Sequence, residues 1–262
     1  MLEQIYARLP VSIRRATESA LPLRTMVVRD RFINVFFDNR HQFRTFSNEF
    51  DNLVADTVHS KSMEEFHEMV PEGETTFGGI EICQARLLYA IVRSIKPDIV
   101  VETGVCNGVS TFVVLLAMEE NQAGELYSVD YPTFSDDPAP VFQRDYYPDN
   151  HIFSSIPKNK QPGWIIPDYL TNRWELRTGK SQRELPPLLN ELNEINMFIH
   201  DSDHTFPCMM FEYELAWEYL KPGSVLLSDD VHSNRAFDVF GSIRANRYGE
   251  ACSGFGYATK SI

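Results

Sequence analysis

The sequence predicts an α/β fold in which a doubly wound, mostly parallel sheet follows a helical N-terminal extension. Three observations predict it. Short runs rich in apolar and β-branched residues recur along the chain, helix-compatible segments separate most of them, and a glycine or an aspartate ends each run. The 262 residues, 43% hydrophobic and 23% charged, are enough for one large α/β domain with additions.

The N-terminal region has a different pattern from the rest of the chain. Residues 1–76 are mostly helical in pattern and rich in phenylalanine, without comparable strand patterns. We expect them to form a helical extension or lid, and residues 77–262 to form the main domain. The segment 77–96 has apolar residues near helical spacing and ends before Pro97, which predicts a helix leading into the sheet.

Five strands are expected in the main domain. The first is DIVVETG (98–104), whose continuous β-branched run is typical of a strand buried on both faces. The others are ELYSVD (125–130), WELRTG (174–179), INMFIHD (195–201) and SVLLSDD (224–230), and helices are expected at 110–120, 181–192 and 209–220. Right-handed crossovers would place the carboxyl ends of all these strands at one edge of the sheet.

Two regions depart from this alternation. Residues 131–170 contain seven of the fifteen prolines and eight aromatic residues, and a loop of this length in a compact domain is usually functional. We expect an insertion there that helps to form a binding site. At the other end, the chain stops soon after CSGFGYATKSI, so we expect little room for antiparallel sixth and seventh strands.

Composition excludes several classes of partner. The net charge of −13, with no Lys/Arg-rich stripe, argues against nucleic acid. No stretch approaches the ~20 apolar residues of a membrane span, and the first residues lack the apolar core of a signal peptide. We therefore expect a cytoplasmic protein without a membrane partner. The four cysteines have no paired spacing, so they are interpreted as reduced thiols.

Acidic residues gather at the ends of four predicted strands. Ligands of open α/β sheets bind outside the carboxyl ends of the strands, where the strand order reverses, so these carboxylates are expected to share one cleft. Aspartate and glutamate also favour such loops for local reasons, and for any single residue that interpretation is about equally good. The residues are Glu102, Asp130, Asp201, Asp203, Asp229 and Asp230.

The turn after the first strand favours a nucleoside-containing ligand. In ETGVCNG (102–108) the glycines allow close approach of a ligand, and the following helix offers free N–H groups. Asp130, at the end of the next strand, is placed to accept hydrogen bonds from both ribose hydroxyls. Glu102 suits a cationic amino group better than a pyrophosphate, and the dinucleotide fingerprint is missing. S-adenosylmethionine is therefore favoured over NAD.

These motifs resemble those of class I S-adenosylmethionine-dependent methyltransferases. VVETGVCNGVST looks like their first motif and YSVD like their second, while FIHDSDHTF and LKPGSVLLSDDV resemble the fourth-strand and fifth-strand motifs of metal-dependent sugar and macrolide O-methyltransferases. The resemblance covers roughly residues 80–235. It implies a Rossmann-like methyltransferase sheet and O-methylation of a hydroxyl on a small molecule or a sugar-like acceptor.

The resemblance also implies roles for individual residues. Glu102 and Gly104 would contact the methionine part of the cofactor with help from Ser110, Asp130 would hold the ribose, and TGKSQ (178–182) would lie near the adenine. The full set of expected cofactor-binding residues is Glu102, Gly104, Gly108, Ser110, Asp130, Gly179, Ser181 and Asp201.

The same resemblance makes Asp201, Asp229 and Asp230 ligands of a divalent cation. Carboxylates without nearby cysteine favour a hard cation such as Mg²⁺. The ion would lower the pKa of an acceptor hydroxyl, and a base would take its proton. Asp203 and His204 are both candidates; His204 is preferred because a neutral imidazole accepts a proton near pH 7. His200 is expected to pack or to orient Asp201.

Three alternatives stay open. The chain could methylate nitrogen or carbon without a metal, it could bind S-adenosylmethionine without turnover, or, least favoured, it could use NAD. The acceptor cannot be named from the sequence, because no motif is readable in the N-terminal helices or in residues 131–170. Whether identical chains assemble into an oligomer is left equally open.

Overall fold

A computed structural model describes residues 30–54, 68–69, 77–135 and 154–262. Within these ranges seven strands form one sheet with helices on both faces. The strands are β1 (Ile99–Thr103), β2 (Glu125–Asp130), β3 (Trp174–Thr178), β4 (Ile195–His200), β5 (Leu220–Ser228), β6 (Arg247–Cys252) and β7 (Phe255–Thr259). The helices are α1 (Asp30–Phe36), α2 (Arg40–Val54), α3 (Ile82–Ile95), α4 (Val109–Asn121), α5 (Ser181–Leu192), α6 (Phe206–Tyr219) and α7 (Ala236–Arg244), and a 3₁₀ helix spans Asp168–Arg173.

The sheet is doubly wound, as the sequence predicts. Its strand order is β3-β2-β1-β4-β5-β7-β6, and β1 to β5 are parallel. The chain adds β2 and β3 on one side of β1 and then returns to place β4 on the other side. The order therefore reverses between β1 and β4, and a crevice is expected at their carboxyl ends.

The expectation of little room for sixth and seventh strands is wrong. β7 pairs antiparallel with both β5 and β6, and the two last strands need only residues 247–259. The connection is a two-residue turn in which Ser253 and Gly254 have φ of 40° and 77°. Two successive positive φ values give the turn the twist of the flanking strands, so a hairpin fits where a longer loop would not.

Two apolar clusters hold the layers together. One lies between the sheet and α1 to α4, and the other between the sheet and α5 to α7. α4 is almost wholly buried, which explains why its sequence VSTFVVLLAMEEN lacks a polar face. The sheet is thus covered on both faces, and ligand access is left at its strand ends.

The described N-terminal helices belong to the first of these clusters. Phe32 is 1% exposed and its ring centroid lies 5.4 Å from that of Tyr257 in β7. Arg93 of α3 forms an ion pair of 2.6 Å with Glu49 of α2. Residues 30–54 are therefore packed on the main domain, while the expected boundary near residue 76 stays a prediction because residues 70–76 lie outside the described ranges.

The insertion is described in part, at residues 131–135 and 154–170. Backbone hydrogen bonds of 2.9 Å join Ser135 to Ile156 and Ile156 to Thr133, so the described ends of the insertion are tied together. Residues 136–153 lie outside the described ranges.

No helix in the described part of the chain has the length and apolar character needed to cross a bilayer.

Candidate functional site

A cavity of about 760 Å³ opens at the carboxyl ends of the parallel strands. Its walls come from the turn after β1, from the ends of β2, β4 and β5, and from the start of α5. All the sequence-predicted site residues except Glu102 line it: Gly104, Gly108, Ser110, Asp130, Gly179, Ser181, Asp201, Asp203, His204, Asp229 and Asp230. The strand-end position of these residues therefore does bring them into one site.

Gly104 begins the turn after β1 in a space that admits no side chain. Its φ is 87°, and a Cβ atom there would lie 1.9 Å from the carbonyl oxygen of Asp201. The Gly104 N–H donates to the Val129 carbonyl at 2.9 Å, and the Asp201 N–H donates to the Thr103 carbonyl at 2.8 Å. Glycine at this position lets the ends of three adjacent strands meet closely.

Gly108 precedes α4 with a φ of 100°, and a Cβ there would lie 2.7 Å from the Gly163 Cα. Gly163 belongs to the insertion, and Asn107 holds the insertion against the turn. Its side-chain amide donates to the carbonyls of Phe77 at 2.6 Å and Ser155 at 2.9 Å, and its Oδ1 accepts from Trp164 Nε1 at 2.5 Å. The insertion is thereby held against the turn, and its residues Tyr131, Pro132, Thr133 and Ser154 line the cavity.

Glu102 lies beneath the cavity and does not line it. Its carboxylate is fully buried and accepts hydrogen bonds from Ser110 at 2.6 Å and from Thr111 and Ser128 at 2.8 Å. Burial raises the pKa of Glu102 to about 7, against the opposing effect of these three hydroxyl donors. In this geometry Glu102 holds the start of α4 to β1 and β2.

Asp130 presents an oxygen to the cavity. Its Oδ1 accepts a hydrogen bond of 3.0 Å from the Val105 N–H. Its Oδ2 is buried, and no hydrogen bond to it is found among the described residues. Burial raises the pKa of Asp130, although backbone donors from Val105 and Cys106 oppose the rise. Because a buried carboxylate oxygen without a donor is costly, this atom is suited to accept from a ligand hydroxyl.

Asp201, His204 and Asp229 form a compact group on the other side of the cavity. One ligating atom of each lies within 4.8 Å of the others. Burial, and then the charge of Asp229, raise the pKa of Asp201 well above its usual range, and burial followed by the charge of Asp230 raises that of Asp229 to about 6. Carboxylates crowded in this way repel each other unless a positive charge neutralises them.

Asp230 and Asp203 lie at the edges of this group. Asp230 is the more exposed, with 60% of its side chain accessible, and its Oδ2 is 3.7 Å from His204 Nδ1. His204 Nε2 is 3.7 Å from Asp201 Oδ1, so the imidazole lies between two carboxylates. Asp203 accepts hydrogen bonds from the backbone N–H and the hydroxyl of Thr205, at 3.1 and 3.3 Å, just before α6.

Comparison with known proteins agrees with this geometry. The sequence profile of a family described as methyltransferase domain matches residues 101–231, which include the end of β1, the cavity-lining turn and every strand-end acid. The chain belongs to this methyltransferase family. The class I S-adenosylmethionine-dependent methyltransferase expected from the motifs is thereby confirmed at the level of family and fold. No curated protein matches the chain by sequence.

Solved structures share the fold at low identity. An O-methyltransferase of Bacillus cereus in complex with SAH is 16% identical with a TM-score of 0.51, covering 83% of this chain and 98% of its own. The O-methyltransferase TomG of Streptomyces achromogenes, involved in tomaymycin synthesis and in complex with SAM, is 15% identical with a TM-score of 0.53, covering 86% and 99%. A methyltransferase of Geobacter sulfurreducens is 15% identical with a TM-score of 0.51, covering 84% and 97%.

Two residues that support the site of this methyltransferase were not found from the sequence. Gln84 of α3 donates its side-chain amide to Asp229 Oδ1 at 2.8 Å and to the Ser253 carbonyl at 3.0 Å. Asn107, which anchors the insertion, is the second. Gln84 is a single polar residue of a helix without a recognisable spacing. Asn107 lies in the ETGVCNG turn, but nothing in the sequence distinguishes it there from an ordinary polar loop residue.

A third such residue, Glu212, could have been found. It is a fully buried acid in the mostly apolar run FPCMMFEYELAW of α6, whose other acid is Glu214. It accepts hydrogen bonds from Thr103 at 2.5 Å and from Ser202 at 2.8 Å, and its Oε2 lies 2.7 Å from His200 Nδ1. Although burial opposes ionisation, His200 and the hydroxyls of Ser181 and Thr103 lower the pKa of Glu212 to about 2. His200 therefore faces Glu212 beneath the site.

Proposed function

We propose that this methyltransferase moves the methyl group of S-adenosylmethionine to a hydroxyl oxygen of a small-molecule or sugar-like acceptor, with the assistance of a divalent metal ion. One observation carries the proposal. A single cavity has, at Asp130, a buried carboxylate oxygen to which no described residue donates, and a crowded group of metal-ligating side chains at Asp201, His204 and Asp229. The first suits a ribose hydroxyl, and the second suits a hard cation.

The cofactor would lie along the turn after β1. Gly104 and Gly108 leave room for close approach, Val109 and Ser110 at the start of α4 line the cavity, and Asp130 Oδ2 would accept from the ribose. Gly179, Ser181 and their neighbours would contact the adenine. Glu102 would act through Ser110, its hydrogen-bond partner, because Ser110 lines the cavity and Glu102 does not.

The metal would be held by Asp201, Asp229 and Asp230, with His204 also within reach. The donors are carboxylates and an imidazole without cysteine, which favours Mg²⁺ or a similar cation over a thiophilic one. When bound, such an ion would polarise an acceptor hydroxyl and lower its pKa. A cation would also offset the burial and the repulsion that together raise the pKa of Asp201 and Asp229.

His204 is the proposed base. Its ring lies between Asp201 and Asp230, which would stabilise the imidazolium formed when it accepts a proton from the acceptor hydroxyl. Asp203 is the weaker candidate because both of its oxygens accept from Thr205. The reaction would then require the acceptor oxygen to be held in line with the sulfonium methyl group.

The O-methyltransferase names of the similar structures, two of which hold SAM or SAH, support this choice of atom and cofactor. Residues of the N-terminal helices and of the insertion would select the acceptor. The cytoplasmic location, the absence of nucleic-acid and membrane partners and the state of assembly stay predictions from the sequence.

Calorimetric titration with S-adenosylmethionine and its demethylated product, each in Mg²⁺ and in EDTA, tests the proposal. Asp130→Ala is expected to weaken binding of both nucleosides at least tenfold. Asp229→Ala is expected to abolish the Mg²⁺ heat while the cofactor still binds. Asp98→Ala is the control, because it removes an exposed carboxylate at the opposite edge of the sheet.

The outcomes separate the alternatives. Failure of wild-type protein to bind either nucleoside would overturn the cofactor assignment. Mg²⁺ binding that survives Asp229→Ala would remove the metal site. Methyl transfer that is unchanged in EDTA would favour a metal-independent enzyme acting on nitrogen or carbon, and binding without turnover across a panel of hydroxyl acceptors would favour a non-catalytic binding protein.

A further inference from the structure

Two cysteines that are distant in the sequence meet outside the cavity. The Sγ atoms of Cys83 and Cys252 lie 3.2 Å apart, although 169 positions separate the residues. Cys83 is the second residue of α3, and Cys252 is the last residue of β6, next to the Ser253-Gly254 turn. Both side chains are partly exposed, so a small solute can reach them.

The distance between these thiols is short for two unbonded groups. A disulfide bond has a length of about 2.05 Å, so the sulfur atoms need to approach by roughly 1.2 Å. Side-chain rotation and small shifts of a helix end and a hairpin end are enough for a movement of this size. The isolated spacing of the cysteines in the sequence gives no sign of this pairing.

Cys83 is placed to act as the reactive thiol of the pair. It lies in the first turn of α3, where the helix dipole and free N–H groups stabilise a thiolate. The Cys252 thiol donates a hydrogen bond to the Cys83 sulfur. This bond and one from Ser253 lower the pKa of Cys83, although burial and the nearby Glu81 carboxylate act to raise it. Nucleophile and resolving thiol are therefore already in contact.

We propose that Cys83 and Cys252 form a redox-active pair that is oxidised to a disulfide by a hydroperoxide. The Cys83 thiolate attacks one oxygen of hydrogen peroxide, giving a sulfenic acid and releasing hydroxide, which takes up a proton to form water. The Cys252 sulfur then attacks the Cys83 sulfur, the S–O bond breaks, and the second oxygen leaves as water. In total two thiols lose two electrons and two protons, and one peroxide becomes two waters.

The bond would join the start of α3 to the β6–β7 hairpin beside the site. Gln84, next to Cys83, already links Asp229 with the Ser253 carbonyl across the same junction. A covalent bond at this junction would hold that link in place and close a chain loop of about 170 residues. The proposal does not depend on the metal or on methyl transfer, because bond formation is measured directly.

The remaining cysteines provide an internal comparison. Cys208 is buried, and its sulfur lies beside Ser181, Ser202 and Glu212; burial raises its pKa out of the reactive range. Burial likewise raises the pKa of Cys106. Neither is expected to react at a peroxide dose that oxidises the Cys83–Cys252 pair.

Intact mass spectrometry of the full-length protein, treated with hydrogen peroxide and then alkylated in denaturant, tests the proposal. We expect a loss of about 2 Da before alkylation, two alkylated thiols in place of four, and a Cys83–Cys252 crosslinked peptide. Cys83→Ser and Cys252→Ser should each abolish the crosslink, while Cys208→Ser should retain it. Wild-type protein should melt roughly 5–15 °C higher when oxidised and return to its original value with dithiothreitol.

Four alkylated thiols after treatment, additions of about 16 or 32 Da without a crosslink, or a crosslink that persists in Cys83→Ser would each overturn the proposal. Each serine variant tests the loss of the crosslink by itself, so the test still works if one of the two variants folds poorly. These outcomes are also separate from those of the titrations with Mg²⁺ and S-adenosylmethionine.

Discussion

The side-chain amide of Gln84 donates a hydrogen bond of 2.8 Å to Oδ1 of Asp229, across 145 positions of sequence. The same amide donates to the Ser253 carbonyl, so both N–H groups of Gln84 are used. The contact therefore sets the orientation of one proposed metal ligand from a helix that precedes the sheet. Groups that orient ligands in this way commonly change metal affinity by ten- to a hundredfold when removed.

Gln84→Met keeps the length of the side chain and removes both donors. We expect Mg²⁺ affinity to fall at least tenfold, because Asp229 loses its orienting partner. Ser94→Ala is the matched control: it removes a hydrogen bond from the same helix, to the Phe36 carbonyl, away from the cavity. Calorimetric Mg²⁺ titrations of the two variants measure the difference, and equal affinities would show that Gln84 has no role in the site.

The choice of base makes a second prediction. His204→Ala is expected to lower kcat by about a hundredfold or more, while Asp203→Asn is expected to have a small effect, because an asparagine oxygen can still accept from the Thr205 N–H. Rates of methyl transfer across pH, measured with saturating cofactor, test this. A larger loss in Asp203→Asn would reverse the assignment.

A Mg²⁺ titration of His204→Ala separates two roles of the imidazole. If His204 is a base alone, metal affinity should stay within a few fold of wild type. If affinity falls together with kcat, His204 is a ligand, as its grouping with Asp201 and Asp229 allows.

The parallel strands could be predicted because they are buried on both faces. Continuous β-branched runs such as DIVVETG leave few other structures open, and β2 has the predicted bounds of 125–130. The shared location of the strand-end acids could also be predicted, because the carboxyl ends of parallel strands lie at one edge of the sheet. The C-terminal hairpin was missed although its Ser253-Gly254 turn is a readable signal, and Gln84 was missed because long-range packing alone places it beside Asp229.

Gly104→Ala tests the packing of the turn after β1. A Cβ there would meet the Asp201 carbonyl oxygen at 1.9 Å and would also impose a positive φ on a residue that resists it. Strain and overpacking together are expected to cost about 3–5 kcal/mol of unfolding free energy. Gly223→Ala is the control, with a φ of 80° but only an ordinary contact of 3.7 Å with Ile262.

Because Gly223→Ala introduces only the conformational strain, we expect it to cost about 1–2 kcal/mol. Urea unfolding of both variants measures the difference. Equal losses would mean that the backbone near Asp201 relaxes to admit a methyl group, and that the close meeting of β1 and β4 is less constrained than the distance indicates.

The buried Glu102 makes a prediction about pH. Its pKa is raised from an ordinary value of 4.5 to about 7 in the folded protein by burial, against its hydroxyl donors. Below pH 4.5 both the folded and the unfolded chain hold this proton, so the stabilising contribution is complete. As pH rises toward 7 the unfolded chain releases the proton first, and the unfolding free energy falls by up to about 1.4 kcal/mol per pH unit.

Glu102→Gln removes this titration and keeps an acceptor oxygen for the hydroxyl of Ser110. The unfolding free energy of the variant should therefore fall less steeply between pH 4.5 and 7 than that of the wild type, by about 3 kcal/mol over the whole interval. Glu194→Gln, at an exposed position, should follow the wild-type curve. Urea unfolding at a series of pH values gives the three curves. Parallel curves for Glu102→Gln and wild type would mean that the Glu102 carboxyl is ionised in the folded protein throughout this pH range. Its negative charge would then be stabilised by the hydroxyls of Ser110, Thr111 and Ser128.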